Sequence, residues 1–213
     1  MLDSRLAREV QLQAEVFERI DDDAARALRR LDSAVDVATD RVDLGRHAVH
    51  AFGSLDGCLA ALFLVAADGG DLRIEAAFGS AARPYWLAMD EGRVPRISAD
   101  PRRPGGRGIG ARAWRSGEIV CADAWACEAL LEPWQSIGRE LGFRSSVALP
   151  LRDGRGGTLA LLCAYSTWPG FFSTPRVMRL LRHAQRRHGA ALRALRAEAR
   201  APDPKRRGIE PTA

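Results

Sequence analysis

The sequence lacks the features of a membrane or secreted protein. Its longest apolar run, residues 58–67, is much shorter than the roughly 20 residues that a membrane span needs. The N-terminus has neither the apolar core nor the small-residue cleavage site of a secretory signal. Only four cysteines occur in 213 residues, and without a signal they are expected to be reduced thiols. We therefore expect a cytoplasmic protein that does not associate with membranes.

Lysine is nearly absent, since Lys205 is the only one among 32 basic side chains. The net charge of +5 is unevenly placed along the chain. Residues 1–43 hold 11 acidic and 7 basic side chains (net −4), whereas residues 176–207 hold 11 basic and 2 acidic ones (net +9). A basic segment is consistent with nucleic-acid binding. The same chain also contains an acidic segment, so we expect the basic side chains to form a solvated helix face that lies against it. Nucleic acid is therefore the less favoured partner.

Apolar residues in the first part of the chain follow a helical pattern. Between Leu6 and Ala38 they recur at alternating steps of three and four, the seam of a coiled coil or helix bundle. An interruption is expected at residues 21–23, because Asp favours a new helix start. The pattern then resumes and ends at Gly53. We predict a coiled-coil-like helical extension over residues 1–30, a globular domain over 31–200 and a disordered tail over 201–213.

Two hairpins are predicted from strand-sized segments joined by turn residues. Residues 58–66 are apolar on both faces, as in a central strand, and the turn at 68–71 leads to a returning strand from Leu72. Residues 145–151 and 158–165 form the second pair. The elements expected besides these hairpins are an irregular segment at 79–106 with one helical turn near residue 86, a helix at 108–115, a strand at 118–122, a helix at 132–141 and a long helix from Pro175. This order predicts an α+β domain with a central antiparallel sheet and helices packed on one side.

Several segments of the chain follow a family pattern. Residues 107–120 read RGIGARAWRSGEIV, and Asp123 follows them. Farther along come EPW at 132–134, GFRS at 142–145, LPL at 149–151 and AYSTWPGFF at 164–172. Together they resemble a GAF domain over about residues 31–200, and in particular the GAF modules that precede GGDEF diguanylate cyclase domains in bacterial signalling proteins.

The resemblance implies a bacterial sensor module rather than an enzyme. It implies that a small molecule or other signal is bound between the sheet and the 79–144 segment and is relayed through the terminal helices. No GGDEF run, kinase motif or helix-turn-helix follows Arg200. The output is therefore expected in a separate protein or in another part of a longer one. The ligand, and whether haem or iron is bound, stay open, so no cofactor is assigned.

Five residues are candidate ligand contacts. Trp125, Trp134 and Phe143 lie in the segment that roofs the pocket of the family, where aromatic side chains form either pocket walls or plain core. Arg144 stands between a helix end and a strand start. Its guanidinium is expected either to clamp an anionic ligand or to pair, buried, with Asp123 or with backbone carbonyls. Both alternatives stay open from the sequence.

Cysteine chemistry gives the alternative function. Free methionine-sulfoxide reductases use a GAF fold and cysteines, but Cys121 and Cys127 match the cysteine pattern of those enzymes poorly. Two cysteines without a second pair or a nearby histidine do not make a zinc site, so no metal is expected. Glycines 108 and 110 are expected to allow a tight helix entry, because they lack the context of a phosphate loop.

The terminal helices are expected to form a homodimer. Both present an apolar stripe, and the opposite net charges of the two ends of the chain favour their pairing, within one chain or between two.

Overall fold

A five-stranded antiparallel sheet organises the computed structural model of the chain, which describes residues 22–199. The strands are β1 (Cys58–Ala66), β2 (Leu72–Phe78), β3 (Val120–Ala122), β4 (Ser145–Arg152) and β5 (Thr158–Ser166). Their order across the sheet is β2-β1-β5-β4-β3, and both predicted hairpins, β1 with β2 and β4 with β5, are confirmed. The central strands β1 and β5 are apolar on both sides because both faces of the sheet are covered.

Three long helices cover one face of the sheet, as the α+β prediction required. They are α1 (residues 22–37), α2 (Arg41–Gly53) and α6 (Pro175–Glu198). Most of the predicted extension and all of the predicted tail lie outside the described residues, so that division of the chain stays a prediction. Within the described residues, no helix is both long and apolar enough to cross a membrane. The seam residues that α1 buries are Ala24, Ala27, Leu31 and Ala34.

The N-terminal helical pattern is broken at residues 38–40, which the sequence analysis did not predict. Residues 22–37 are helical, and the chain leaves the helix at residues 38–40. Asp40 is the N-cap of α2, where its carboxylate accepts a hydrogen bond from the backbone N–H of Asp43 at 2.8 Å. A capping carboxylate satisfies an otherwise unpaired N–H group of the first helical turn. The interruption predicted at residues 21–23 falls at the edge of the described residues and stays a prediction.

The basic face of α6 meets acidic residues of α1. Asp32 lies 2.7 Å from Nε2 of His183 and 3.3 Å from Nε of Arg187, and Asp36 lies 3.6 Å from the same guanidinium. These pairs hold down the pKa of Asp32, with the His183 hydrogen bond as the largest cause. The expectation that the basic segment lies against an acidic neighbour is thus confirmed for the described residues.

Three shorter helices and their loops cover the other face of the sheet. They are α3 (Ala82–Asp90), α4 (Ile109–Ser116) and α5 (Gln135–Glu140). The sequence predicted only one helical turn where α3 has nine residues. It also predicted one helix over residues 132–141, where the structure has a 3-10 segment over Ala129–Trp134 followed by α5. Pro133 accounts for this division, because proline cannot donate the hydrogen bond that an α-helix needs.

Candidate ligand-binding site

The segment that covers the second face of the sheet, residues 79–144, is called the cover below. It packs on the strand side chains that point away from the long helices, which in β5 are Leu161, Cys163 and Tyr165. Side chains of a strand alternate between the two faces. The continuous apolar run of β5 therefore serves two cores, one under the long helices and one under the cover.

Four aromatic rings pack together where the cover contacts the sheet. Tyr165 stacks on Phe143 at a centroid distance of 4.7 Å and meets the rings of Tyr85 at 5.0 Å and Trp125 at 5.6 Å in edge-to-face geometry. Phe143 also meets Tyr85 and Trp125 edge-on, at 5.5 Å and 5.3 Å. Each such pair contributes about 0.5–1.5 kcal/mol beyond its burial. The cluster joins α3, the loop after β3 and the entry to β4 in one place.

A small cavity lies beside this aromatic cluster, between α4 and the sheet. Its volume of about 20 Å³ is roughly that needed by a single water molecule. No charged side chain lines it. The lining residues are Tyr85, Ile97, Gly105, Gly108, Ile109, Gly110, Trp125, Leu131, Trp134, Val147, Cys163 and Tyr165.

The two tryptophans of the lining differ in their hydrogen bonding. Nε1 of Trp134 donates to the carbonyl oxygen of Pro95 at 2.9 Å, which ties the cover to itself. Nε1 of Trp125 is buried and has no acceptor among the described residues. Buried donors without a protein partner are uncommon in folded proteins, and one in the lining of a cavity is available to a bound molecule.

The other polar groups of the lining are the phenols of Tyr85 and Tyr165 and the thiol of Cys163. Burial raises the pKa of the Cys163 thiol to about 12 and raises the pKa of both phenols above their ordinary value. All three groups are therefore uncharged at physiological pH and keep their hydrogens.

Two glycines allow the tryptophans to approach the backbone. A Cβ atom at Gly138 would lie 1.9 Å from Nε1 of Trp125, and one at Gly108 would lie 2.8 Å from the ring of Trp134. Gly108 has φ −69° and ψ 172°, a conformation open to any residue, so its requirement is steric rather than conformational. The sequence predicted a conformational role, a tight entry into α4.

The structure divides the five candidate residues into two groups. Trp125 and Trp134 line the cavity, and Phe143 packs on the rings beside it. Arg144 is exposed, and it joins the fold through its backbone, which bonds to Trp125 and Ser166. Neither Arg144 nor Asp123 lines the cavity.

The buried pairing of Arg144 with Asp123, which the sequence left open, does not form. Asp123 is exposed and accepts a hydrogen bond from Oγ of Ser173 at 2.5 Å, while its carbonyl oxygen accepts one from the backbone N–H of Gly170. These bonds attach the loop before α6 to the end of β3. Asp123 thus has a structural partner that sequence spacing did not indicate.

The sequence analysis missed Tyr85, Cys163 and Tyr165. None of the three was among the candidate ligand contacts. A signal was available in β5, because Cys163 and Tyr165 are two apart on one face of an otherwise apolar strand. Polar atoms on a fully buried strand need partners, which marks them as candidates for a site.

The cysteines do not form a shared site. Cys58 and Cys121 belong to the core under the long helices, Cys127 is exposed, and Cys163 alone lines the cavity. Burial raises the pKa of Cys58 to about 12 and raises that of Cys121. Among residues 22–199, no cluster of three or more His, Cys, Asp or Glu side chains is suited to hold a metal ion.

The sequence itself identifies the family to which this fold belongs. The sequence profile of the GAF domain matches residues 29–192, more than half of the chain. The chain therefore belongs to the GAF domain family. No curated protein matches it.

Solved structures share the fold at low sequence identity. The GAF domain of the Acinetobacter phosphoenolpyruvate-protein phosphotransferase is 11% identical at a TM-score of 0.60, covering 84% of this chain and 98% of its own. A putative GAF sensor protein from Burkholderia vietnamiensis is 17% identical at 0.57, with coverages of 85% and 94%. The free methionine-R-sulfoxide reductase of Neisseria meningitidis, solved with its substrate, is 19% identical at 0.56, with coverages of 80% and 90%. At these identities the likeness shows the fold alone.

Proposed function

We propose that the chain is a bacterial, cytoplasmic sensory domain that binds a small molecule between the sheet and the cover, with no catalysis of its own. The observation that carries this proposal is the uncharged aromatic cavity beside the buried, unpartnered N–H group of Trp125. Small-molecule sites are mostly apolar and contain a few placed polar groups. The cavity and the terminal helices lie on opposite faces of the sheet. The ligand would therefore bind away from the helices that contact an output.

Binding requires the cover to move. The cavity of about 20 Å³ admits little more than one water, so a larger ligand stabilises a state in which the cover has shifted outward. A ligand can shift a conformational equilibrium only by binding the two states with different affinity. A pocket that closes when empty satisfies this condition, because the closed state excludes the ligand.

Hydrogen bonds around the sheet connect the cavity to the terminal helices. Helix α4 contributes Gly110 to the lining, and the carbonyl oxygen of Trp114 near its end accepts a bond from Oγ1 of Thr158 at 2.8 Å. The carbonyl oxygen of Gly117, the first residue after α4, accepts a hydrogen bond from Nε2 of Gln185 on α6 at 3.3 Å. The same Nε2 donates to the carbonyl of Pro150 at 3.0 Å. A displacement of α4 therefore acts directly on α6.

We propose that the output is reached through a homodimer of the terminal helices. The pairing of Asp32 with His183 joins α6 to α1. Between these helices lies a groove of about 410 Å³ with an apolar floor that includes Leu28 and a rim that includes Arg179 and Arg182. The resemblance to GAF modules ahead of GGDEF domains favours cyclic-di-GMP signalling as the output. Light scattering at tens of micromolar tests the dimer, and a monomeric full chain contradicts it.

The alternative, a cysteine-dependent reductase, is favoured less by the arrangement of the thiols. Such chemistry needs a thiolate nucleophile near the bound substrate and a second cysteine within reach. Cys163 is the one cysteine in the lining, and its pKa of about 12 keeps it protonated. Cys121 packs on the opposite side of the sheet.

Native mass spectrometry of the full chain purified from its host tests the binding function. The informative variant is Gly110→Ala, which adds a methyl group at a residue that lines the cavity, 3.0–3.3 Å from the side chains of Ile97 and Leu161. Alanine is favoured over glycine in a helix by about 1 kcal/mol, so the variant is expected to fold. Arg112→Ala, on the exposed side of α4, is the matched control.

We expect a co-purifying mass on the wild type and on Arg112→Ala, and at least about a tenfold loss of it on Gly110→Ala, equivalent to about 1.4 kcal/mol. An absorbance spectrum of the same samples reports any haem or iron. Retention of the mass by Gly110→Ala, or its absence from all samples, contradicts the proposal.

A further inference from the structure

We infer that the ligand of this cavity is a small, uncharged, planar molecule that carries a hydrogen-bond acceptor such as a carbonyl oxygen. The inference rests on the proposed function, since it concerns the same cavity, and it identifies the chemical class of the ligand. Three properties of the lining carry it: the absence of charge, an unpartnered hydrogen-bond donor and flat aromatic walls.

Charge is missing from the lining. No Arg, Lys, His, Asp or Glu side chain is among the residues that form the cavity. Arg144 and Asp123, the charged residues that the sequence brought forward, are exposed and lie outside it. An ion taken out of water into such a site lacks an opposite charge, and the cost of its desolvation is not recovered. A neutral molecule of the same shape avoids that cost.

One hydrogen-bond donor in the lining lacks an acceptor. An indole N–H can only donate, and the one on Trp125 has no acceptor among the described residues. A ligand that brings an acceptor oxygen satisfies this N–H group, which the protein leaves unpaired.

The walls favour a flat ligand over a compact cation. Quaternary ammonium groups are bound where several aromatic faces point at one centre. Here Tyr165 stacks on Phe143, and Tyr85 and Trp125 meet both rings edge-on, so much of the ring surface is used within the cluster. The cavity is bounded by ring edges and by α4, and this shape suits a planar molecule that packs beside the rings.

Four probes of similar size separate these properties. Benzamide is planar and neutral with an acceptor, benzoate has nearly the same shape with a negative charge, toluene lacks an acceptor, and tetramethylammonium is a compact cation. Binding to the full chain is followed by tryptophan fluorescence and by the shift of the melting temperature. We expect saturable benzamide binding in about the millimolar range or better, at least about tenfold tighter than benzoate or tetramethylammonium and about three- to tenfold tighter than toluene.

Two matched tryptophan variants test the donor. Trp125→Phe removes the unpartnered N–H and is expected to weaken benzamide about three- to tenfold while leaving toluene nearly unchanged. Trp134→Phe removes an N–H that Pro95 already occupies. It is expected to keep the preference for benzamide over toluene. If either variant fails to fold, the order of the affinities of the wild type for the four probes still decides the inference.

Three results overturn the inference: tighter binding of benzoate or tetramethylammonium than of benzamide, equal binding of toluene and benzamide, or no saturable benzamide binding up to about 10 mM. The proposed function fails differently, through a co-purified mass that Gly110→Ala retains or through the absence of any such mass. A charged molecule that Gly110→Ala excludes would overturn the ligand class and leave the binding function in place.

Discussion

Replacement of His188 by leucine is expected to stabilise the protein and to remove much of its sensitivity to mild acid. His188 lies on the buried side of α6 with 1% of its surface exposed. Neither ring nitrogen has a hydrogen-bond partner of good geometry among the described residues, although the Ala184 carbonyl one turn earlier favours the proton slightly. Leucine has a similar size, leaves no polar atom unpaired and is a better helix former.

The magnitude follows from the pKa of His188. Burial lowers it from 6.5 to about 4; His183 and Arg187 add to the effect, and Asp32 opposes it. The unfolded chain therefore takes up the proton more readily, so stability is full above about pH 7 and is lost as the pH falls from 6.5 towards 4. At about 1.4 kcal/mol per pKa unit, the total loss is about 3 kcal/mol, of which about 2 kcal/mol falls between pH 7 and pH 5.

Urea unfolding followed by tryptophan fluorescence at pH 7 and pH 5 measures both effects. At pH 7, His188→Leu is expected to gain about 1–3 kcal/mol, because it removes unpaired buried nitrogens. Between pH 7 and pH 5 it is expected to lose about 2 kcal/mol less than the wild type does. Ala190→Leu, on the exposed side of α6, is the control, because it adds a leucine to the same helix and keeps His188; it should keep the wild-type pH dependence. An unchanged pH dependence in His188→Leu would refute the reasoning.

Two further predictions concern the cover and the thiols. Gly138→Ala is expected to lose about 1–3 kcal/mol of stability in urea unfolding, because its methyl group would meet the indole of Trp125; Ser136→Ala in the same helix should change stability by less than about 0.5 kcal/mol. Equal stability of the two variants would contradict the described packing. The double variant of Cys121 and Cys127 to serine is expected to fold and to keep the co-purifying mass. A reductase activity on free methionine sulfoxide that the wild type shows and this variant lacks would favour the enzyme alternative.

The sheet could be predicted from the sequence because its signals are local. Residues 58–66 were predicted as a strand and form β1 with the same bounds, since an apolar run flanked by Gly57 and Asp68 has few other solutions. The sequence predicted only one helical turn in place of α3, because this helix has no capping side chain and contains Pro84 near its start. Its stability comes from Tyr85 and Met89, which pack on the sheet, and tertiary packing outweighs such weak local signals.

The site was predicted only in part, since its geometry depends on which way side chains point after folding. Trp125 and Trp134 were found because the family resemblance places them in the segment that roofs the pocket. Arg144 was chosen for its place at a strand entry, yet the structure directs it to solvent. The phenols of Tyr85 and Tyr165 meet across 80 residues of sequence, which no local pattern could indicate.

Hydrogen–deuterium exchange on the protein loaded in its host and on the same protein refolded without ligand tests the central claim most directly. The account predicts slower exchange of the loaded protein in the cover and a changed rate in α6 and α1, because α4 is bonded to α6 through Gln185. In Gln185→Ala the cover should still respond, while the response of α6 and α1 shrinks. An unprotected cover in the loaded protein, or a protected cover with unchanged terminal helices in the wild type, would contradict a sensor that works through these helices.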